Sequence, residues 1–400
     1  MVAPVLDLSS ADDLAPIAAL VVDELRTAPG ASVAAAVRRP GRPDGFVHGL
    51  GVAGRLWFDA TPPPGASPAA PPVTHDTVFD LASVTKPLTA LTLVRLARAG
   101  VLRLDEPLRD LLPELSDTPS ADAPLDLLAS HRAGLDGHRP LYAPLLQGRA
   151  ADLEESLRIA ASARRVDCAG APPPDGFPPV YSDLGYLLLG AALARRADLP
   201  LDALVAREVT EPLGLTPSPG RACPAIASAR AFRRVDAHWD ERVAPTERAP
   251  FRGGIVRGEV HDENAWALVG DASAGHAGLF GDALAVAHLG VALLQALAGE
   301  RPGWLSAADL APLLRPRPGG SLRAGFDSRS GPTPSSGNRF GHATFGHLGF
   351  TGTSLWIDPD AQLVGVLLTN RVHPTRTTDT IRRARPAAYD AIAAAMLDAR

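Results

Sequence analysis

The chain has 400 residues, of which 46% are hydrophobic, and its formal net charge is −5 at pH 7. This length and hydrophobic content predict a globular chain with one large two-lobed unit or two to three small domains. The charge leaves no basic field for a polyphosphate, so we expect no nucleic-acid partner. Two cysteines, Cys168 and Cys223, are too few for a disulfide framework and fit no metal-ligand spacing.

The first predicted element is a helix over 11–27, which Ser10 caps and Gly30 ends. Its apolar residues recur at helical spacing and are flanked by acidic residues on both sides, with no basic segment before them. This pattern differs from that of a signal peptide, so we expect a cytoplasmic protein whose mature chain begins here. Two strands are predicted next, over 31–38 and 45–56, with a turn-rich segment between them.

A proline-rich connector over 61–72 leads into a mostly helical part that extends to about residue 300. Its longest apolar stretch, over 283–298, is interrupted by His288 and Gln295 and is too short to span a bilayer. We interpret this stretch as a buried helix and expect no membrane association. The predicted helices in this part cover 86–99, 105–113, 151–164, 184–197, 201–210 and 282–298.

Strand character returns after a loop over 315–338 that is rich in Gly, Ser and Pro. Three strands are predicted over 344–350, 353–357 and 362–369, and an Asp-Pro-Asp turn joins the last two in a hairpin. A final amphipathic helix covers 378–397.

A sheet built from both ends of the chain, with a helical block inserted between them, is the economical arrangement of these elements. We therefore expect an α+β fold in which terminal helices flank an antiparallel sheet. The sheet subdomain would comprise 1–80 and 300–400, and the mostly helical subdomain 81–299. The active site would lie at their interface.

Lysine occurs once, at Lys86, although the chain has 39 Lys and Arg residues together. Arginine cannot be deprotonated in a protein, whereas a lysine amine can lose its proton when burial or a nearby positive field lowers its pKa. The one retained lysine therefore indicates a role in chemistry.

Ser83 lies three residues before Lys86, near the predicted start of a helix, where residues i and i+3 are neighbours on one face. The dipole at this end of the helix disfavours the ammonium form of Lys86 and stabilises negative charge at Ser83. Both effects favour a serine nucleophile with a lysine partner. Spacing alone leaves an alternative open, in which Ser83 only caps the helix and Lys86 is solvated.

Further segments accompany this pair. Tyr181 and Asp183 stand two residues apart before an apolar helix, and His347 and Gly349 lie at a glycine-rich strand edge. In this order the motifs resemble those of the penicillin-recognising serine hydrolases, specifically the class C β-lactamase-like branch that contains many esterases. That family has Ser-x-x-Lys, then Tyr-x-Asn or a variant, then Lys-Thr-Gly or His-x-Gly on a strand. The segment 130–135 also looks like the family's His-Thr-Ser-Gly-Leu stretch.

The resemblance covers residues from about 30 to about 395 and implies a β-lactamase/transpeptidase-like fold and an acyl-enzyme mechanism. Ser83 would attack an acyl carbonyl, and Lys86, neutral or sharing a proton with Tyr181, would take the serine proton and relay it to the leaving group. The backbone N–H groups of Ser83 and Phe350 would bind the oxyanion. The family needs no cofactor and no metal.

The residues expected to bind the substrate are Asp183, His347 and Gly349. The first two depart from the family pattern. Asp183 replaces the usual asparagine, so an amide donor is missing, and the carboxylate could instead pair with Lys86. His347 stands where β-lactamases carry lysine, and a histidine near its usual pKa is only partly charged at neutral pH. This weaker charge disfavours β-lactam and D-alanyl peptide substrates.

Other histidines have no assigned catalytic role. His261 and His276, with Asp262 and Glu263, can be imagined as metal ligands, but we favour structural roles for them. His131 is a candidate for a loop or a helix end. The chain has no Gly-x-Ser-x-Gly segment, which argues against an α/β-hydrolase triad.

The sequence therefore predicts a cofactor-independent serine hydrolase that acts on small-molecule carboxylic esters. The alternatives are a β-lactamase or D-alanyl-D-alanine carboxypeptidase, an acyltransferase that uses the same acyl-enzyme, and a non-catalytic binding or scaffold protein. The complete Ser-Lys-Tyr set disfavours the last of these. Acyl and alcohol preference stay open, since loops such as 315–338 form the pocket walls, and so does the oligomeric state.

Overall fold

The computed structural model describes residues 13–42, 44–221 and 223–398, and within them the main feature is a six-stranded antiparallel sheet. The strands are β1 (Gly30–Arg38), β2 (Phe46–Gly54), β3 (Asp327–Ser328), β4 (Phe345–Leu348), β5 (Ser354–Asp358) and β6 (Leu363–Thr369). Their order across the sheet is β2-β1-β6-β5-β4-β3. The N-terminal strand β1 therefore pairs with β6 from the other end of the chain, with Ala34 opposite Val366.

The helices that pack on the sheet or carry residues of the site are α1 (Ala15–Ala19, continued by a π-helical turn over Leu20–Glu24), α2 (Thr85–Arg98), α3 (Asp183–Ala197), α4 (Ala283–Leu297) and α5 (Ile381–Asp398). Other α-helices cover Leu108–Leu111, Leu125–Ala129, Ala143–Leu146, Leu153–Ser162, Leu201–Val205, Ala229–Val235, Trp239–Arg242, Glu263–Val269 and Ala307–Leu314.

Both faces of the sheet are buried, and the side chains of β1 alternate between two cores. Val33 and Val37 pack with α1 and α5 on one face. Ala34 and Ala36 belong to the larger core on the other face, which includes α4. The stretch interpreted as a buried helix is therefore confirmed. Among the described residues, no helix has both the length and the hydropathy needed to cross a bilayer.

The expected α+β fold, with an antiparallel sheet flanked by terminal helices, is confirmed. The inserted part also holds a second, three-stranded sheet (Phe79–Asp80, Leu279–Gly281 and Ile226–Ser228), and a two-stranded one (Arg248–Ala249 and Gly254–Ile255). The sequence did not predict these strands, because two or three residues are too few to show an alternating pattern.

Some local predictions were wrong. Gly30 begins β1 and does not end the first helix, and a Cβ at Gly30 would lie 2.5 Å from the carbonyl oxygen of Arg55. The strand β3 lies inside the segment 315–338 that was expected to be a loop. Ser10 lies outside the described residues. The division into two subdomains stays a prediction, and α4, assigned there to the helical part, packs on the sheet.

Candidate active site

Ser83 is presented by a strained turn between the strand Phe79–Asp80 and α2. Ala82 in this turn has a φ of 47°, in the left-handed region that non-glycine residues rarely adopt. The Ala82 N–H donates to the buried carboxylate of Asp80 at 2.7 Å, and the N–H of His261 donates to its other oxygen, also at 2.7 Å. Asp80 therefore holds the turn in place and ties it to the segment at His261.

Lys86 lies in the first turn of α2, and its side chain has no solvent exposure. Its Nζ is 2.9 Å from the Oγ of Ser83 and 2.7 Å from Oδ1 of Asp183. The carbonyl oxygen of His276 accepts a third hydrogen bond at 3.2 Å. The side chains of Ser83 and Lys86 are thus in contact across the start of α2, and the alternative of a solvated lysine is wrong.

The charge state of Lys86 differs from the expectation. Burial lowers the pKa of Lys86, but the nearby charge of Asp183, with smaller contributions from Tyr181, raises it above the ordinary lysine value. The sequence-based argument counted only the helix dipole, whose partial charge is outweighed by a full carboxylate in direct contact. Lys86 is therefore an ammonium ion in the resting site.

Tyr181 stands beside this pair. Its ring borders the pocket, and 38% of the residue is exposed. Burial, together with the charge of Asp183, raises the pKa of Tyr181, and this outweighs the lowering by the charge of Lys86. The phenol therefore keeps its proton at neutral pH. The Nζ of Lys86 lies 4.7 Å from the centre of the ring.

His131 contacts Tyr181, although the sequence gave it no role. The two rings are 4.7 Å apart between centres, and Nδ1 of His131 accepts the N–H of Ser182 at 3.0 Å. Burial is the main reason that the pKa of His131 lies well below the ordinary value, so the ring is neutral. His131 thus fixes the segment that carries Tyr181. The likeness of 130–135 to a family stretch was the signal that pointed to it.

Asp183 is the first residue of α3, where the helix dipole stabilises a carboxylate. Its N–H donates to the carbonyl oxygen of Gly137 at 2.9 Å, and its side chain, 23% exposed, reaches both Lys86 and the pocket. Asp183 is therefore the charge partner of Lys86. Its contact with a substrate stays a prediction.

His347 lies on β4 and is buried at the pocket wall. Its Nδ1 donates to the carbonyl oxygen of Leu348 at 2.9 Å, so Nε2 is the nitrogen with the free lone pair. Burial, together with the charge of Lys86, lowers the pKa of His347 to about 3. The expected partial charge at neutral pH is therefore wrong, because the ring is fully neutral there.

Gly349 allows the end of β4 to lie against the segment before Ser83. A Cβ at this position would be 2.0 Å from Oγ1 of Thr353 and 2.6 Å from the carbonyl oxygen of Leu81. The Thr353 hydroxyl donates to that carbonyl at 2.9 Å. The guanidinium of Arg385 on α5 adds hydrogen bonds to the carbonyl oxygens of Gly349 and Thr353, at 2.7 and 2.9 Å.

Ser83 and Phe350, whose N–H groups are the expected oxyanion donors, line the same pocket. Within the part of the chain that the structure describes, no backbone carbonyl engages the N–H of Phe350. The Phe350 ring is 47% exposed, and the guanidinium of Arg371 lies 4.7 Å from its centre.

The pocket has a volume of about 850 Å³ and opens above Ser83. Leu322 and Asp327 from the segment 315–338 contribute to its wall, as the sequence suggested. The outer wall also includes His138, Tyr142, Arg371, Arg376 and Arg382.

The residues considered as metal ligands have separate partners, and Glu263 accepts a hydrogen bond from Arg376. Nε2 of His261 lies 3.2 Å from the carboxylate of Glu247, and Nε2 of His276 lies 2.9 Å from that of Asp262. Over 13–42, 44–221 and 223–398, no three His, Cys, Asp or Glu side chains are grouped so that they could hold a metal ion.

Comparison with known proteins agrees with this geometry. Residues 18–389 match the family model described as Beta-lactamase. A Salmonella agona protein, provisionally named D-alanyl-D-alanine carboxypeptidase, is 27% identical over 338 residues, which cover 80% of this chain and 76% of the relative.

Solved structures share the fold. EstCE1, described as a hydrolase with promiscuous acyltransferase activity, has a TM-score of 0.65 at 22% identity, over 94% of this chain and 97% of its own. A class C beta lactamase from Rhodobacter sphaeroides has a TM-score of 0.63 at 20% identity, over 95% and 98% of the two chains. The fold is therefore β-lactamase/transpeptidase-like, as expected, and the chain belongs to the beta-lactamase family of serine hydrolases.

Proposed function

We propose that this protein is an esterase, which cleaves small carboxylic esters through an acyl-enzyme on Ser83. The observation that carries the proposal is that the pocket wall has a buried histidine, His347, whose Nδ1 donates to the carbonyl oxygen of Leu348, in place of a fixed cation. A β-lactam or D-alanyl peptide presents a carboxylate beside the scissile carbonyl, and a fixed cation at this position would stabilise it. An uncharged ester needs no such cation.

The reaction begins when the Oγ of Ser83 attacks the acyl carbon while its proton leaves towards Lys86, which is 2.9 Å away. The N–H groups of Ser83 and Phe350 stabilise the negative charge on the carbonyl oxygen. Tyr181, which keeps its proton, stands beside Ser83 and assists proton transfer to the leaving alcohol. Water then attacks the acyl-enzyme by the same steps.

Asp183, His347 and Gly349 would contact the substrate. Nε2 of His347 and the carboxylate of Asp183 both border the pocket, and neither donates a hydrogen bond in these charge states. Donation to the substrate therefore comes mainly from the backbone, which suits the small polar surface of an ester.

A second candidate is a β-lactamase or D-alanyl-D-alanine carboxypeptidase, and Arg382 favours it. This exposed residue in the first turn of α5 lines the pocket, and its guanidinium has no hydrogen-bond partner among the described residues. It offers a cation for a carboxylate. Arg371, in contrast, is engaged by the carbonyl oxygens of Phe350, Arg376 and Thr378.

Intact mass spectrometry tests the proposal. The protein would be incubated with a fluorophosphonate, with a panel of aryl esters and with a β-lactam. We expect a single fluorophosphonate adduct on Ser83, acyl adducts from the esters and none from the β-lactam. A β-lactam adduct that forms as fast as the ester adducts would support the second candidate. Adding an alcohol acceptor during ester turnover separates hydrolysis from acyl transfer.

The cytoplasmic location stays a prediction, which fractionation of producing cells would test.

A further inference from the structure

We propose that Asp183 is the terminal proton acceptor of the nucleophile: it takes a proton from Lys86 as Lys86 takes the proton of Ser83. This role rests on the proposed function of Ser83 as the acyl-enzyme nucleophile. It gives Asp183 a part in proton transfer in place of the amide donor that the family usually has there.

The contacts of Lys86 lead to this role. Its Nζ has three hydrogen-bond acceptors, which are the Oγ of Ser83 at 2.9 Å, Oδ1 of Asp183 at 2.7 Å and the carbonyl oxygen of His276 at 3.2 Å. An ammonium has three hydrogens and no lone pair, so Lys86 cannot accept the serine proton until one of its own has left. Of the groups on Nζ, only the Asp183 carboxylate is a base that can take it.

The other titratable groups around Lys86 do not provide an alternative base. Tyr181 and Tyr186 present their rings to Nζ, with centres at 4.7 and 5.6 Å, and burial raises the pKa of each phenol. Burial lowers the pKa of both His131 and His347, which are weak bases as a result.

Asp262 is the remaining carboxylate whose charge acts on Lys86. Its Oδ1 accepts hydrogen bonds from His276 at 2.9 Å and from the N–H of Ala265 at 2.8 Å. Although burial raises the pKa of Asp262, its interaction with His276 brings the value well below the ordinary range. Asp262 contacts His276 and not Nζ, so it cannot take a proton from Lys86 directly.

The transfer is balanced in both directions. As the bond between the Oγ of Ser83 and the acyl carbon forms, the serine proton moves to Nζ and one ammonium proton moves to Oδ1 of Asp183. Lys86 therefore stays charged throughout, and the carboxylate becomes a carboxylic acid. When the bond to the leaving group breaks, Lys86 gives a proton to the alkoxide with the assistance of Tyr181. Asp183 then returns its proton to Lys86.

The experiment compares the wild-type protein with Asp183→Asn from pH 5 to 9.5. The readout is the rate at which a fluorophosphonate labels Ser83, because this requires serine deprotonation but no ester specificity. The wild-type rate should change little over this range, since the reaction starts from protonated Lys86. The variant can react only from neutral Lys86, and its Lys86 should have a lowered pKa, because Asp183 is the main group that raises this pKa against burial. The rate of the variant should therefore rise with pH, by up to about tenfold per unit below that lowered pKa, and its deficit should be largest at the acidic end of the range.

Two matched variants separate this role from a structural one. Asp183→Glu keeps a carboxylate, so its rate should be low but independent of pH. Asp262→Asn removes the neighbouring carboxylate that does not contact Nζ, and it should not introduce a rise with pH. An Asp183→Asn rate that equals the wild-type rate across the whole range, or a deficit that is constant across it, would overturn the role of Asp183. If the wild-type protein is labelled rapidly but hydrolyses no ester, the esterase proposal is overturned. The labelling rates of the wild type and the variants still decide whether Asp183 accepts the proton.

Discussion

The floor of the pocket and its rim are built in different ways. The floor consists of Ser83, Lys86 and Asp183. The Nζ of Lys86, which is completely buried, is hydrogen-bonded to the side chains of the other two. The rim includes Phe350 and Arg382, where 47% of the phenylalanine is exposed and the guanidinium is without a partner among the residues described.

This difference separates the chemistry from the choice of substrate. A buried ion pair has little freedom to rearrange, because losing one partner leaves an uncompensated charge in the interior. Rim residues can be replaced without leaving a buried charge uncompensated, and their exposed atoms are free to contact a ligand. The floor should therefore decide whether the protein reacts at all, and the rim should decide with what.

The largest effect is expected for Ser83→Ala. This change should abolish ester hydrolysis and covalent labelling, since it removes the proposed nucleophile. The fold should remain, because a serine at a helix end contributes at most about 1–2 kcal/mol. Mass spectrometry after fluorophosphonate treatment measures the labelling, and circular dichroism checks the fold. Labelling of another residue in this variant would contradict the role of Ser83.

Lys86→Arg should have the next largest effect. Arginine keeps a positive charge beside Asp183 but cannot pass on a proton, so turnover should fall by about 10²–10⁴-fold. Steady-state rates with an aryl ester give the factor, and the midpoint of urea unfolding shows whether the larger side chain is accommodated. If turnover stays above about a tenth of the wild-type rate in a folded variant, Lys86 serves only as a charge.

The contrast between esters and β-lactams comes next in size. We expect kcat/KM for a short-chain aryl ester to exceed that for a chromogenic cephalosporin by at least about a hundredfold, the size of one missing charge-assisted hydrogen bond. A histidine with a lowered pKa becomes charged only as the pH falls through that value. Because the pKa of His347 is about 3, its charge should not alter the ratio between pH 6 and 9. Equal efficiencies anywhere in that range would refute the esterase proposal.

The smallest effects should come from the rim. Phe350→Ala removes an exposed ring beside the oxyanion site but keeps the backbone N–H, so kcat/KM for an aryl ester should fall by roughly fivefold, as the loss of part of one apolar contact predicts. Phe58→Ala is the matched control, because Phe58 is also 47% exposed but does not line the pocket. A loss of about a hundredfold or more in Phe350→Ala would show that the rim takes part in the chemistry.

The sequence predicted the contacts of the floor only where they are local. Ser83 lies in a 3-10 turn (Ala82–Val84) that leads directly into α2, three residues before Lys86, so local geometry brings the two together. The charge of Lys86 was predicted incorrectly, because it depends on Asp183, which approaches from another helix through the fold. For the same reason, the packing of His131 on Tyr181 could not be read from spacing.

The fold shows a similar limit. Strands with clear alternation or long apolar runs, such as β1 and β6, were predicted close to their observed bounds. The strand Phe79–Asp80, which leads directly into the turn of Ser83, is too short to have a pattern of its own. Its conformation is set by pairing with Leu279–Gly281, a tertiary contact that the local sequence does not contain.

The pairing of β1 with β6 bears on how the protein is made. Ala31 lies opposite Thr369, so a strand near the start of the chain pairs with a strand that is synthesised more than 300 residues later. Arg385, which holds the carbonyl oxygens of Gly349 and Thr353, comes later still. A ribosome therefore completes nearly the whole chain before the sheet can close, and the edge of β1 that pairs with β6 stays open until then. A nascent chain arrested before Arg385 would contain Ser83 but no finished site around it.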